Sequence, residues 1–334
     1  MTLKSIVEGT RAYAGLFETS DRGLLEVRGT DRVRWLDGMI SNDVEALEER
    51  GSGAGCYATL LTNRGAIIAD LHVGLLDEAF FLESRASEIG RIRETLDRFI
   101  IADDVTLVDR TADFSVLGLE GPASERLLAA VLEGASPPPP EQWCTGTIGG
   151  QSVLVAAFGF SGERAFQIRC APEARAAFVS AFDAAATEGD LVRGDAEALE
   201  VLRVEAGIPA LGAELDEEVL PPEARLDHAI STSKGCYVGQ EIVARLRARG
   251  QVNHLLVGLA LPAESAAVVG AELSAAGRKI GEITSLVESP SEGKIALGYV
   301  RREHAEPGTE VELAEGRARV AALPFVTLPR AETV

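Results

Sequence analysis

A chain of 334 residues is longer than one hydrophobic core usually serves, so two or three domains are expected. Hydrophobic residues at 46% and charged ones at 25% exclude a disordered chain, and no apolar run reaches the roughly 18 residues that cross a bilayer. A formal net charge of −20 argues against broad, non-specific nucleic-acid binding, which depends on Lys and Arg neutralising phosphates.

Residues 1–10 carry one lysine and no continuous apolar segment, so they lack the layout of a secretory signal, and a cytoplasmic location is expected. The first strand is predicted over 24–27. Thr30 then caps a helix whose Val33, Leu36 and Ile40 fall near helical spacing, and Ser41-Asn42-Asp43-Val44 closes it as a loop, with turn chemistry at Asn42 and Asp43. After a flexible glycine-rich 51–55, strands over 57–61 and 66–76 form a hairpin around Thr62-Asn63-Arg64-Gly65. Asp70 is the odd residue there: a carboxylate is rarely buried without a partner, so it either faces solvent or has one.

Ile89, Ile92, Leu96 and Phe99 mark an amphipathic helix over 87–99, followed by strands over 105–108 and 114–119. Gly121-Pro122 opens a helix over 123–132, and residues 137–140 are four prolines that favour an extended connector. Strands over 152–158 and 164–169 flank Gly159-Phe160-Ser161-Gly162, and a helix with Phe178, Val179 and Phe182 follows Pro172. Asp195 caps a further helix through Leu199, Leu202 and Ala206, which Gly207 and Pro209 end.

Residues 234–241 read KGCYVGQE. Two glycines within five positions predict a shaped turn, with an ordered element starting at Glu241. None of the four cysteines stands in a CxxC pair, so a metal site of local Cys spacing is not expected. Cys236 alone sits among glycines and polar groups, where Lys234 and the turn amides could lower its pKa; otherwise it packs while Gly235 and Gly239 shape the loop. Tyr237 is suited to stacking on a heteroaromatic ring or to filling the core. Arg245, Arg247 and Arg249 form the densest basic cluster, read either as a solvated face or as a contact for a polyanionic ligand. The four histidines are scattered and receive no role. From Gln251 short aliphatic runs alternate with glycine, and strands over 255–261, 279–287, 294–300 and 317–322 predict a small antiparallel barrel.

KGCYVGQE, with Arg245 and Arg249-Gly250 after it, resembles the signature of the YgfZ-type folate-binding proteins, relatives of the glycine-cleavage T-protein, an aminomethyltransferase. The stretch LRVEAGIPALGAELDEEVLPPEA and the later IGEITS and IALGYVRR are similar to segments of the same superfamily, so the resemblance runs from about residue 24 to 325. It implies an α+β fold, with antiparallel sheets and helices around a central folate cavity and a C-terminal β-barrel. Residues 1–50 and 115–205 would form one α+β subdomain, 51–114 and 206–250 a second, and 251–330 the barrel.

The resemblance also implies tetrahydrofolate, or another reduced folate, as ligand. Asp31, Arg32, Asn42 and Asp43 match a block that borders the folate cavity, and Phe160-Ser161-Gly162-Glu163 matches a pocket loop. Asp70 matches an acid assigned a catalytic role beside the folate ring, although the family usually shows two adjacent acids where this chain has Ala69-Asp70. Glu205 matches a glutamate that faces the pterin, whose paired donors a carboxylate accepts. Catalytic roles are thus expected of Cys236, Lys234 and Asp70, and folate contacts of Asn42, Asp70, Glu205, Tyr237 and Arg245, with no metal. The activity implied first is a tetrahydrofolate-binding accessory role for iron–sulfur enzymes, including tRNA-modifying ones, with those clients as partners. The alternative is a T-protein-like aminomethyl or one-carbon transferase, and a scaffold with a vestigial pocket is the third reading.

Overall fold

A computed structural model describes residues 1–187, 189–250 and 252–328, apart from the side chains of 247–249. Its first half runs α1 (Leu3–Ala12), β1 (Gly15–Glu18), β2 (Arg22–Arg28), α2 (Arg32–Asp37), α3 (Val44–Arg50), β3 (Gly55–Leu61), β4 (Ile67–Leu76), β5 (Ala79–Arg85), α4 (Ile89–Asp97) and β6 (Thr106–Asp109). Next come β7 (Ser115–Glu120), α5 (Ser124–Val131), β8 (Trp143–Ile148), β9 (Gln151–Ala156), β10 (Ala165–Cys170), α6 (Arg175–Ala185), β11 (Val192–Gly194), α7 (Ala196–Ala206) and α8 (Gln240–Arg249). The chain finishes with β12 (His254–Ala260), β13 (Glu272–Ala275), β14 (Arg278–Ser289), β15 (Gly293–Arg301), β16 (Glu310–Glu312) and β17 (Arg317–Ala321).

These strands make three structures, as the α+β reading expects. One sheet has the order β11-β1-β7-β10-β9-β8, a second β3-β4-β5-β2-β6, and the last six strands close into a barrel. Closure leaves the barrel no free edge to mispair, and its interior is filled by side chains such as Val257, Leu259, Ile283, Val300 and Val320. In the second sheet α4 lays Ile89, Ile92 and Leu96 onto the strands, each residue at most 1% exposed. Burial of such a side chain stabilises by roughly 1.5–3 kcal/mol, so this stripe alone is a firm anchor.

Several expectations need correction. Thr30 does not cap α2: its hydroxyl donates to Asp104 at 2.7 Å, and Asp31 occupies the N-cap position. Residues 41–44 are not simply a loop, because Asp43 caps α3 by accepting from Ala46 N at 2.9 Å. The glycine-rich 51–55 is tied down rather than flexible, with Gly53 N donating to Leu75 O at 2.7 Å and Trp143 N to Gly53 O at 2.9 Å. Strand β2 pairs with β5 and β6, so residues 22–50 go with the second sheet and not with the first, where a boundary at 50 put them. The antiparallel barrel is present as expected, and β13 and β16 add two strands to the four picked out in the sequence, being too short to show an alternating pattern.

The two sheets meet through Leu24, Leu76, Trp143, Leu154, Ala156 and Phe158. Gly74 has to be glycine at this seam: a Cβ there would stand 2.3 Å from the Trp143 ring. Beside this seam, Tyr57 of β3, Asp70 and His72 of β4 and Phe158, just past β9, line one cavity. That junction is where the site lies.

Candidate functional site

Antiparallel pairing sets Tyr57 of β3 opposite His72 of β4, and Thr59 opposite Asp70. Side chains two apart in a strand share a face, so Asp70 and His72 point the same way and Tyr57 reaches both. The Tyr57 hydroxyl donates to Asp70 Oδ2 at 3.0 Å. Oδ1 has no partner among the described residues, and Asp70 is 8% exposed. Burial, reinforced by the Asp70 charge and by this bond, holds the Tyr57 phenol well above its ordinary pKa.

Tyr57 is one rung of a ladder of rings. His72 lies 4.7 Å from it and stacks on Phe158 at 3.6 Å and 5°, and Phe158 meets Phe160 edge-on at 6.2 Å. On the other side His228 stacks on Tyr57 at 5.4 Å and 15°. All five rings line one cavity of about 750 Å³, with Asp70 set among them. His72 Nδ1 is buried there with no hydrogen bond, 3.7 Å from the Glu141 carboxylate.

The loop carrying Phe160 is clamped by a buried carboxylate. Glu120 accepts from Phe160 N at 3.1 Å, Ser161 N at 3.0 Å and Ser161 Oγ at 2.6 Å. Burial pushes the Glu120 carboxyl up, against the pull of those bonds. The clamp turns Glu163 onto the cavity wall, where burial raises its pKa although Arg11 lies 3.3 Å away. Pro137, Pro139 and Pro140, read as a spacer, form another part of the wall, and Gly207, Ile208 and Pro209 a third. Two guanidiniums complete it. Arg164 is held by Glu125 at 2.8 Å and by the Pro138 carbonyl, while Arg225 donates from Nε to Leu256 O at 2.7 Å with its other nitrogens unbonded among the described residues. Arg225 is held at φ 60°, a region non-glycine residues seldom adopt, and the strain is consistent with a side chain placed for use.

Of the residues expected to have catalytic or folate-contacting roles, Asp70 alone lines this cavity, while the pocket loop expected over 160–163 lines it through Phe160, Gly162 and Glu163. Glu205 is 1% exposed and turned elsewhere: Arg11 donates to its Oε2 at 2.9 and 3.1 Å, and Ser289 Oγ to its Oε1 at 2.7 Å. Asn42 stands behind the wall, donating to Tyr57 O at 2.8 Å, and Arg32 pairs with Glu48 at 3.1 Å. Lys234 is structural. Its Nζ donates to the carbonyls of Asp37, Ile40 at 3.0 Å and Asn42 at 2.8 Å, and meets the Asp37 carboxylate at 3.1 Å. Burial lowers its pKa despite that carboxylate.

Cys236 is exposed and lies off the cavity wall, so Lys234 and the cavity do not converge on its thiol. Tyr237 is 8% exposed within the core of the second sheet, under the Lys234 ammonium at 5.3 Å from its ring. Arg245 is exposed on α8 and pairs with Glu241 at 2.7 Å; the side chains of Arg247 and Arg249 lie outside the described residues. Among the described residues no group of three His, Cys, Asp or Glu could hold a metal, and no helix is long and apolar enough to cross a membrane.

Sequence reasoning missed Tyr57, His72, Phe158 and His228. The available signal was the hairpin itself, although Tyr57 stands five residues before its turn and His72 seven after, and only the register shift near Leu61 makes them a facing pair. Nothing local in the sequence brings Phe158 or His228 to them.

Comparison with known proteins gives two family matches. Residues 3–234 match the GCVT N-terminal domain, and residues 255–328 match the glycine cleavage T-protein C-terminal barrel domain. The chain is similar to the aminomethyltransferase of Rubrobacter xylanophilus, 32% identical over 97% of this chain and 86% of that protein. It is likewise 31% identical to the aminomethyltransferase of Symbiobacterium thermophilum, over 97% of this chain and 90% of the relative. Among solved structures, glycine cleavage system aminomethyltransferase T from Bartonella henselae superposes with a TM-score of 0.85 at 25% identity, over 97% of this chain and 89% of that one.

Proposed function

Given that the chain belongs to the glycine cleavage T-protein family, we propose that it binds tetrahydrofolate in the ring-lined cavity and acts there as a T-protein-like one-carbon transferase. The observation that carries this reading is Asp70, a carboxylate with one oxygen held by Tyr57 and the other free, facing a cavity with aromatic walls. Bound tetrahydrofolate supplies a nucleophilic amine able to carry a one-carbon unit.

The residues present fit such a ligand. Tyr57, Phe158 and Phe160 offer faces to a bicyclic ring and a benzoyl group, and Glu163 offers an acceptor for the paired donors of an amino-pyrimidine. The His72 Nδ1 atom left without a partner is a further polar group for a ligand to satisfy. Arg225 and Arg164 are cations for the carboxylates of a glutamate tail in an otherwise acidic protein. Asp70 Oδ1 is the atom placed to take or hold a proton, while the Tyr57 hydroxyl fixes the carboxylate from behind. Methylene-tetrahydrofolate formation from an aminomethylated donor tests the reading. Turnover that Asp70→Asn reduces by about 10²-fold is expected, and its absence at saturating tetrahydrofolate would remove the proposal.

A second reading rests on a separate observation. The KGCYVGQE turn presents an exposed Cys236 outside the cavity, and Ala69 stands where a second acid is usual. Those features favour a YgfZ-type accessory role, in which tetrahydrofolate binding supports iron–sulfur enzymes and Cys236 works at the surface. Complementation of a bacterium lacking its own such protein, scored on an iron–sulfur tRNA-modifying enzyme, separates the two. Rescue by the wild type and not by Cys236→Ala would favour the accessory role.

A further inference from the structure

Arg11, in the last turn of α1, carries the N-terminal helix to the wall of the ring-lined cavity. Its side chain is 18% exposed, and every nitrogen of the guanidinium is engaged. Nε and Nη2 donate to Glu205 Oε2 at 3.1 and 2.9 Å, Nη2 donates also to Leu202 O at 3.1 Å, and Nη1 donates to Ser161 O at 2.6 Å and to Glu163 Oε1 at 3.3 Å. Glu205 is fixed in turn by Ser289 Oγ of β14 at 2.7 Å. The fork is therefore anchored on α7 and the barrel, and its remaining nitrogen grips the pocket loop. A guanidinium holds its partners in one plane at set angles, which an ammonium cannot do.

The loop is shaped to meet it. Gly162 stands at φ 75° between Ser161 and Glu163, and a Cβ there would lie 2.9 Å from Ala206 on α7. This bend brings the Ser161 carbonyl and the Glu163 carboxylate to the same nitrogen, while Glu120 fixes the Ser161 amide and hydroxyl from the other side. Glu163 lines the cavity, and its Oε2 accepts no hydrogen bond among the described residues.

Charge does not balance at this wall. Glu120 is fully buried and the Glu163 and Glu205 side chains are 5% and 2% exposed, yet among the described residues Arg11 is the one cation paired with any of them. Glu120 has the loop amides and Glu205 has Ser289, whereas Glu163 has only the longest of the Arg11 bonds. A buried carboxylate with incomplete compensation is costly, and incoming donors offset that cost. The wall thus favours a ligand edge that presents paired N–H donors to Glu163 and disfavours one that presents acceptors.

We propose that Arg11 is a positioning residue that sets the selectivity of the cavity for the donor edge of an amino-pyrimidine, aiming Glu163 at that edge from a fork anchored on Glu205. This role rests on the folate reading and deepens it, because it names the residue behind the acceptor and the ligand group the acceptor recognises. Its mark is on discrimination between ligands, beyond affinity alone.

Calorimetric titration of the full chain with tetrahydrofolate and with its 2-desamino analogue tests this, since the analogue keeps the ring system and tail but lacks one of the paired donors. The wild type is expected to bind tetrahydrofolate about tenfold or more tighter than the analogue. Glu163→Gln, which removes the acceptor's charge, and Arg11→Met, which acts through Glu163, are each expected to cut that preference to about threefold or less. Arg11→Lys keeps the charge without the fork and is expected to lose about threefold of the preference. A residue that merely holds α1 in place would weaken both ligands alike and leave their ratio unchanged. If Arg11→Met, which strips two buried carboxylates of their cation, fails to fold, Arg11→Lys decides the matter. An unchanged ratio in folded Arg11→Met or in Arg11→Lys would overturn the proposal. Binding of both ligands by the wild type without a preference sinks the role of Arg11 alone, whereas failure of both to bind sinks the folate reading beneath it.

Discussion

At the scale of single residues the account turns on the Tyr57–Asp70 pair. Because burial and the neighbouring charge raise the phenol in the folded protein, its contribution to stability is fully present below the unfolded value near pH 10 and is lost as pH rises through the folded value. An absorbance titration should show Tyr57 still protonated at pH values where ordinary phenols have ionised. In Asp70→Asn the transition should move part of the way back down, since burial remains. A Tyr57 transition near pH 10 in the wild type would contradict the geometry. Asp70 was legible in the sequence as a carboxylate interrupting an apolar strand. His72 and Phe158 were not, since a ring stack between two sheets depends on register and on the seam, neither of which is encoded within one segment.

The turn over 234–241 governs the scale of elements. Lys234 is 1% exposed at its side chain and gathers three carbonyls and a carboxylate from residues 37–42, so it fastens the signature segment to the end of α2. Lys234→Met leaves Asp37 and those carbonyls without their cation and should cost about 3–5 kcal/mol in chemical denaturation. Cys236→Ser, at an exposed position, should change stability by less than about 0.5 kcal/mol. Equal effects of the two substitutions would remove the structural assignment of Lys234. Gly239 is held at φ 84°, and a Cβ there would stand 2.6 Å from Thr62 O, so Gly239→Ala should destabilise by more than about 1 kcal/mol. The glycine pattern announced a shaped turn correctly. What it could not announce was the direction of each side chain: a lysine two residues from a cysteine reads as an activating charge until the distant carbonyls that hold it are known.

For the whole molecule the joints between the three structures matter most. Glu214 accepts from Arg203 at 2.9 Å, from Thr284 at 2.7 Å and from Ser285 at 2.6 Å, binding α7 to barrel strand β14. Removing its charge in Glu214→Gln leaves Arg203 with Glu200 as its carboxylate partner and weakens the bonds to β14, and should cost about 1.5–3 kcal/mol of global stability; a loss under about 0.5 kcal/mol would show that the joint is incidental. Arg11 plays a similar part, tying α1 to Glu163 on the cavity wall and to Glu205 behind it. The barrel and the paired sheets could be anticipated from strand spacing, whereas the assignment of residues 22–50 could not, because β2 finds its partners through a pairing some 60 residues away. Glu205 was misread for the same reason: its partner Arg11 comes from the opposite end of the domain. The most direct test of the central claim is a crystal structure of the protein with tetrahydrofolate. The account predicts the ring system in the cavity against Phe158 and Tyr57, within reach of Asp70 and Glu163; folate bound elsewhere, or an empty cavity at saturating ligand, would contradict it.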